Sequence, residues 1–188
     1  MDNYDSLDNI INRLIILDEI CFERDVSGEI VLLGGSGILA QSIISGFDFR
    51  PTRDIDVNVV KSEKEYEFMN ILKEVGLDIV GGIMEVPPPE DLKCRENLYL
   101  LEHDFKSIKV FVPSIELLVC CKLFTKRPKD LIDLEESDML NKCNIEKLMP
   151  MIKEYEENLL NQNDPFINIR ELDRLFKEKG IQYNTRRC

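Results

Sequence analysis

The stretch that decides the fold is Phe49-Arg50-Pro51-Thr52-Arg53-Asp54-Ile55-Asp56-Val57, preceded by Gly34-Gly35-Ser36-Gly37. Asp54 and Asp56 stand two apart at the head of an apolar, β-branched run made by Ile55, Val57, Val59 and Val60. The run predicts a strand over residues 54–60, and residues two apart on a strand project from one face. Two carboxylates placed that way repel each other unless something positive lies between them. A divalent cation with oxygen ligands is the natural neutraliser. The structural alternative is a strand end with solvated acids, one of them paired with Arg50 or Arg53. Two acids on one face after a glycine turn favour the cation.

Upstream, residues 6–24 carry Leu7, Ile10, Ile11, Leu14, Ile15, Leu17, Ile20 and Cys21 at helical spacing, which predicts an amphipathic helix. Residues 29–33 read as a short buried strand, residues 34–37 as a turn and residues 38–45 as a helix facing it. Downstream, Ser62 is the expected cap of a helix to about Val75, and residues 77–86 are strand-like around Gly81-Gly82. Pro87-Pro88-Pro89 opens an extended loop. Residues 97–102 and 107–112 predict two strands joined by a turn that holds His103. Ser114 is the expected N-cap of a helix through Phe124, and Pro128 opens another to about Leu140. Two more helices are expected over about 145–160 and 168–179. Strands in the middle and helices at the ends make this an α+β chain. Its expected layout is a mixed-sheet core over residues 1–125 and a helical extension over residues 126–188, packed on that core.

Composition narrows the function. The chain has 188 residues, of which 44% are hydrophobic and 32% charged, enough for a real core. A formal net charge of -12 argues against broad, sequence-independent nucleic-acid binding, which depends on Lys and Arg neutralising phosphates. Lys126-Arg127-Pro128-Lys129 and Arg186-Arg187 read as ordinary surface. The six cysteines (21, 94, 120, 121, 143 and 188) form no C-x-x-C pair and His103 is the one histidine. A zinc site is therefore not expected, and the usage fits a reducing cytosol. No apolar run approaches a membrane span and the acidic start is unlike a signal peptide; the expectation is a soluble, cytoplasmic chain.

Three constellations bear on chemistry. The glycine turn resembles a phosphate cradle, with backbone N–H groups at a helix start and the Ser36 hydroxyl as donors. Gly35-Ser36-Gly37-Ile38-Leu39-Ala40 also fits the dinucleotide fingerprint. The acids there open the second strand rather than end it, and alternating strand–helix units are lacking, so that reading falls behind; an antiparallel neighbour for the first strand would remove it. Asp54 and Asp56 are the second constellation. The third is Lys122, on the helix Ile115-Glu116-Leu117-Leu118-Val119-Cys120-Cys121-Lys122-Leu123-Phe124, which is apolar nearly all round and so expected to be buried. Its ammonium needs an anion or an exit to solvent. A nucleotide phosphate would serve, and so would Asp130 and Asp133, one turn apart on the next helix; those two acids read equally well as surface.

At these residues the chain resembles the nucleotidyltransferase superfamily: Gly35-Ser36, then Arg50-Pro51-Thr52, then Asp54-Ile55-Asp56. Residues 108–140, with a strand, the Lys122 helix and Asp130-Leu131-Ile132-Asp133, are similar to the abortive-infection AbiEii-like nucleotidyltransferases of type IV toxin–antitoxin systems and to related uncharacterised bacterial proteins. The resemblance implies a mixed sheet flanked by helices and a Mg²⁺-dependent transfer of a nucleoside monophosphate from a nucleoside triphosphate to an acceptor hydroxyl. It implies Asp54, Asp56, Lys122 and Asp133 as catalytic residues. Phosphates would be held at Gly35 and Ser36, and Arg50 and Thr52 would brace the loop, with Arg50 within reach of phosphate. It also leaves RNA or protein as acceptor and a place for an antitoxin protein. Most active members of that superfamily carry a third carboxylate on a neighbouring strand; Glu102 is the nearest candidate here and Glu85 a lesser one. Without it, the alternative is a nucleotidyltransferase-like fold kept for binding or regulation.

Overall fold

The computed structural model describes residue 4 and residues 6–81 and 87–183. A five-stranded mixed sheet runs through it in the order β3-β2-β1-β5-β4. Its central strand, β1 (Gly28–Leu33), is buried at nearly every position, as a Val- and Leu-rich run between two packed faces must be. β2 (Asp56–Ser62) lies antiparallel to β1, with Leu33 opposite Asp56. β5 (Ile108–Pro113) runs parallel to β1 on its other side. The edges are short: β3 (Asp78–Ile79) is parallel to β2 and β4 (Leu98–Leu100) is antiparallel to β5. The antiparallel β1–β2 pair removes the dinucleotide-binding alternative, because that unit needs its first two strands parallel.

Alternation along the strands feeds two cores. Ile30, Leu32, Val57, Val110 and Val112 face α1 (Leu7–Glu23) and α3 (Glu65–Glu74), meeting Ile10, Leu14, Leu17, Phe68, Ile71 and Leu72. Val31, Leu33 and Phe111 face the other way. They join the apolar cluster of α4 (Ile115–Leu123), α5 (Pro128–Glu136), α6 (Met139–Lys142), α7 (Ile145–Glu157) and α8 (Leu172–Glu178). Burying a Leu, Ile or Phe side chain contributes about 1.5–3 kcal/mol, so sheet and C-terminal helices are bound by common packing. α2 (Gly34–Ser45) leaves the end of β1 and divides the two clusters, with Ile38 in one and Leu39 and Ala40 in the other. The result is an α+β fold of the nucleotidyltransferase kind, a mixed sheet flanked by helices.

Ser114 caps α4 as expected, accepting from the Leu117 amide at 3.3 Å. Four local expectations need correction. Residues 34–37 are not a separate turn: α2 starts at Gly34 itself. β2 begins at Asp56, not Asp54, because Thr52 pairs with Tyr4 in an isolated bridge and its hydroxyl donates to the Asp54 carbonyl at 3.2 Å, bending the chain ahead of the strand. Ser62 does not cap α3; it ends β2 and donates to the Ser27 carbonyl at 2.7 Å. The helix expected to reach Leu140 stops at Glu136, where Ser137 turns its hydroxyl back onto the Asp133 carbonyl at 2.6 Å, and a short α6 follows. Within the described residues 77–81 of the strand-like stretch, Asp78–Ile79 pair as β3; residues 82–86, with Glu85, lie outside the described residues, as do Arg186 and Arg187. Cys120 is buried as expected and Cys121 half-buried, and no disulfide forms among the described cysteines. Among the described residues no helix is long and apolar enough to cross a membrane.

Candidate functional site

Four chain segments meet at one end of the sheet: the end of β1, the start of α2, the start of β2 and the start of β3. Asp56 opens β2 and points its carboxylate at Gly34. A Cβ at Gly34 would fall 1.9 Å from Asp56 Oδ2, and Gly34 has φ of 53°. Only glycine serves there, on both counts. Gly35 makes the equivalent room for Thr52, whose Oγ1 would be 2.5 Å from an added Cβ. The two glycines are thus the bed on which the 52–56 segment rests. Ser36 is fully buried; its hydroxyl donates to the Leu33 carbonyl at 2.8 Å, with the Asp56 carbonyl at 3.4 Å. That hydroxyl ties α2 to β1 in this structure, where the sequence suggested a phosphate donor.

Asp54, two residues earlier, is exposed in the bend, and it does add its field to that of Asp56. Burial first, then repulsion from Asp54 and Asp78, pushes the Asp56 carboxyl above the usual carboxylate range, against the pull of Arg127 and Lys122. Asp78 was not anticipated. It stands in register with Asp56 across the β2–β3 pair, so both belong to one face of the sheet. β3 has two residues, too few for an alternation to announce it in sequence.

The second part of the site is a closed ion network. Lys122 on α4 donates to Asp130 Oδ1 at 2.5 Å and to Asp133 Oδ2 at 2.8 Å, and all three side chains are less than a tenth exposed. The buried lysine therefore finds the carboxylates of the next helix rather than an exit to water. Arg50 comes from the loop before β2 and takes Asp133 in a two-pronged grip, Nε to Oδ1 at 2.6 Å and Nη2 to Oδ2 at 2.9 Å. Thr125 donates to the other oxygen of Asp130 at 2.9 Å. Burial acts to raise the Asp133 carboxyl, but the hydrogen bonds from Arg50 and Lys122 outweigh it and hold it below the usual range. Two cations and two anions cancel here. Arg50, expected within reach of phosphate, is committed to Asp133, and through it the loop that aims Asp54 and Asp56 is fastened to the C-terminal helices.

Between these two parts opens a cleft of about 630 Å³, within the size range of small-molecule sites. Asp56, Gly34 and Leu33 line one wall, Lys122, Thr125, Lys126, Arg127 and Asp130 another, with Val80, Leu92, Phe124 and Leu159 as apolar floor and rim. Glu102 is not part of it. β4 runs antiparallel to β5, so Glu102, just beyond β4, lies at the opposite end of the sheet from Asp56. Two strands, β1 and β5, also intervene, roughly 14 Å of sheet width. Among the described residues no group of three or more His, Cys, Asp or Glu is placed to hold a metal ion.

A Gly-rich strand-to-helix junction facing Asp56 at the start of an antiparallel second strand, with Asp54 in the bend before it and cations on the other wall of the cleft, makes a nucleotidyltransferase-like site. Residues 12–179 match the family described as nucleotidyltransferase of unknown function (DUF6036), and the chain belongs to that family. The match is to the superfamily's chemistry in general and does not extend to the AbiEii-like toxins. Neither the curated proteins nor the solved structures gave a match.

Proposed function

We propose that this chain moves a nucleoside monophosphate from a nucleoside triphosphate to an acceptor hydroxyl, with Mg²⁺ held by Asp54 and Asp56. The observation that carries the reading is the unbalanced negative charge at Asp56, at the mouth of a cleft whose facing wall is cationic. Asp78 is the third carboxylate nearby, but among the described residues no three acids cluster to cage a metal; two suit this ion, since Mg²⁺ is commonly bound by one or two carboxylates together with substrate phosphates. When bound, it supplies charge neutralisation and polarisation of the phosphates.

The remaining roles fall to this chain's own residues. Gly34 and Gly35 let the 52–56 segment lie against the start of α2, so Asp56 is aimed by packing. Thr52 holds the bend that brings Asp54 beside it. Arg50 and Asp133 fix that loop to the helices bearing the opposite wall, keeping the cleft's width constant while substrates exchange. In the transfer, the acceptor oxygen bonds to the α-phosphorus, the bond to the pyrophosphate breaks, and the hydroxyl proton leaves to solvent. Such chemistry rests on positioning and electrostatics more than on covalent catalysis.

The test is incubation with Mg²⁺, α-labelled nucleoside triphosphates and cellular RNA or protein. An acceptor should become labelled, and Asp56→Ala should abolish the labelling; unchanged labelling in that variant contradicts the role of Asp56. A second reading, a fold kept for binding without turnover, draws support from the lack of a third clustered carboxylate among the described residues. It predicts triphosphate binding with no acceptor labelled. The toxin-like role draws support from the Lys122–Asp130–Asp133 arrangement, which resembles the AbiEii-like pattern of a lysine and a later aspartate at the site. It predicts that expression arrests growth, that Asp56→Ala relieves the arrest, and that an antitoxin protein does the same.

A further inference from the structure

We infer that the side chain gripping the triphosphate in this cleft is Arg127, and that Lys122 is a positioning residue which does not touch it. This deepens the reading above and rests on it. Three cations line the cleft among the described residues: Lys122, Lys126 and Arg127. Lys122 is buried and donates to two carboxylates, one of which is also held by Arg50. To reach a phosphate it would have to abandon Asp130 and Asp133 in a site with almost no solvent, leaving an uncompensated buried charge, a cost of several kcal/mol. Lys126 is ion-paired with Asp164 on the far rim. Arg127 differs from both. Its side chain is 71% exposed, and its Nε is 3.8 Å from Asp130 Oδ2, beyond hydrogen-bonding distance, while that oxygen already accepts from Thr125.

The backbone beneath Arg127 is firmly placed. It is the N-cap residue of α5, followed by Pro128, and its carbonyl accepts from the Asp130 amide at 3.0 Å and from Asn168 Nδ2 at 3.3 Å. An anchored Cα with an exposed guanidinium suits a group that must close on a ligand and release it. Arg127 also acts electrostatically on Asp56, so it stands across from the carboxylate edge where the phosphates would lie. A guanidinium offers a planar fork matched to two phosphate oxygens, which an ammonium cannot. In a chain of net charge -12, a polyanionic ligand needs such a local cation to approach at all.

The probe is inorganic tripolyphosphate with Mg²⁺, titrated calorimetrically into the full chain, alongside non-hydrolysable ATP and GTP analogues. Arg127→Ala should weaken tripolyphosphate tenfold or more, with an unfolding temperature close to that of the parent. Arg127→Lys should recover only part of the loss. Lys126→Ala should cost less than threefold. Lys122→Met should lower the unfolding temperature yet, measured where the variant is folded, bind tripolyphosphate within threefold of the parent; a loss of tenfold or more there overturns the claim that Lys122 does not touch the phosphates. Tripolyphosphate binding in Arg127→Ala within twofold of the parent overturns the assignment of Arg127, as does a loss in Lys126→Ala that equals or exceeds it. If the parent chain binds neither tripolyphosphate nor the nucleotide analogues with Mg²⁺ present, the proposed function itself falls and Arg127 with it.

Discussion

At Asp133 a buried carboxylate is held by two cations and sits below its ordinary pKa; at Asp56, where β2 begins, a carboxylate has two like charges for neighbours and sits above it. Both belong to the same end of the molecule, and both were singled out from sequence as site residues. The difference separates their work. A balanced network adds to the fold and holds parts together. An unbalanced edge works against the fold and is stable only because surrounding packing compels it. It is also the edge that gains most from a bound cation.

The contrast can be broken first at its balanced side. Asp133→Ala leaves Arg50 and Lys122 facing each other without their shared anion, and should cost about 3–5 kcal/mol of stability in urea unfolding. The pH dependence has a definite sign. Because the folded-state pKa of Asp133 is depressed, its contribution is fully present above the unfolded value of about 3.9 and is lost as pH falls through the folded one. Asp133→Asn should therefore flatten the acid limb of the stability profile. An acid limb unchanged from the parent means the network carries little.

Next comes Gly34→Ala, best compared with Gly46→Ala. Both glycines have positive φ, so both changes cost about 1–2 kcal/mol in backbone strain. A Cβ at Gly46 meets nothing within 4 Å, whereas at Gly34 it displaces the Asp56 carboxylate. Only Gly34→Ala should also abolish Mg²⁺-dependent nucleotide binding, measured by calorimetry; equal binding in the two variants would show that Asp56 does not depend on that bed.

Asp56→Asn sharpens the unbalanced side, since it should stabilise the protein while abolishing transfer. The folded pKa is raised, so the cost of the charge is present above that pKa and disappears as pH falls toward the unfolded value. At neutral pH the gain should be on the order of 1 kcal/mol, about 2–4 °C in melting temperature for a chain of this size. It should vanish near pH 4. The smallest effect belongs to Glu102→Gln, which should leave nucleotide binding within twofold of the parent, because Glu102 lies at the wrong end of the sheet; a larger change would reopen its claim as a ligand.

What the sequence could tell follows the range of each interaction. Lys122 with Asp130 and Asp133 was legible as one of two alternatives, because a charge on an apolar helix needs a nearby partner and i, i+3 acids lie eight and eleven residues on. Arg50 with Asp133 was not, since 83 residues separate them and no local pattern joins them. The glycines read as a turn because glycine is a poor helix former; their use as a bed for Asp56 and Thr52 depends on contacts that only the fold creates. Glu102 was named and Asp78 went unnoticed, because strand order is invisible to alternation. The sheet brings β3 beside β2 and sends β4 to the far edge.

The central claim is that the Asp54–Asp56 edge takes up a divalent cation together with a triphosphate. Thermal unfolding with Mg²⁺, with a non-hydrolysable nucleoside triphosphate, and with both tests it most directly, since a ligand that binds the native state raises the melting temperature. The account predicts a clear rise only when both are present, and none in an Asp54→Asn/Asp56→Asn double variant. A rise of equal size without the metal, or an undiminished one in the double variant, would contradict it.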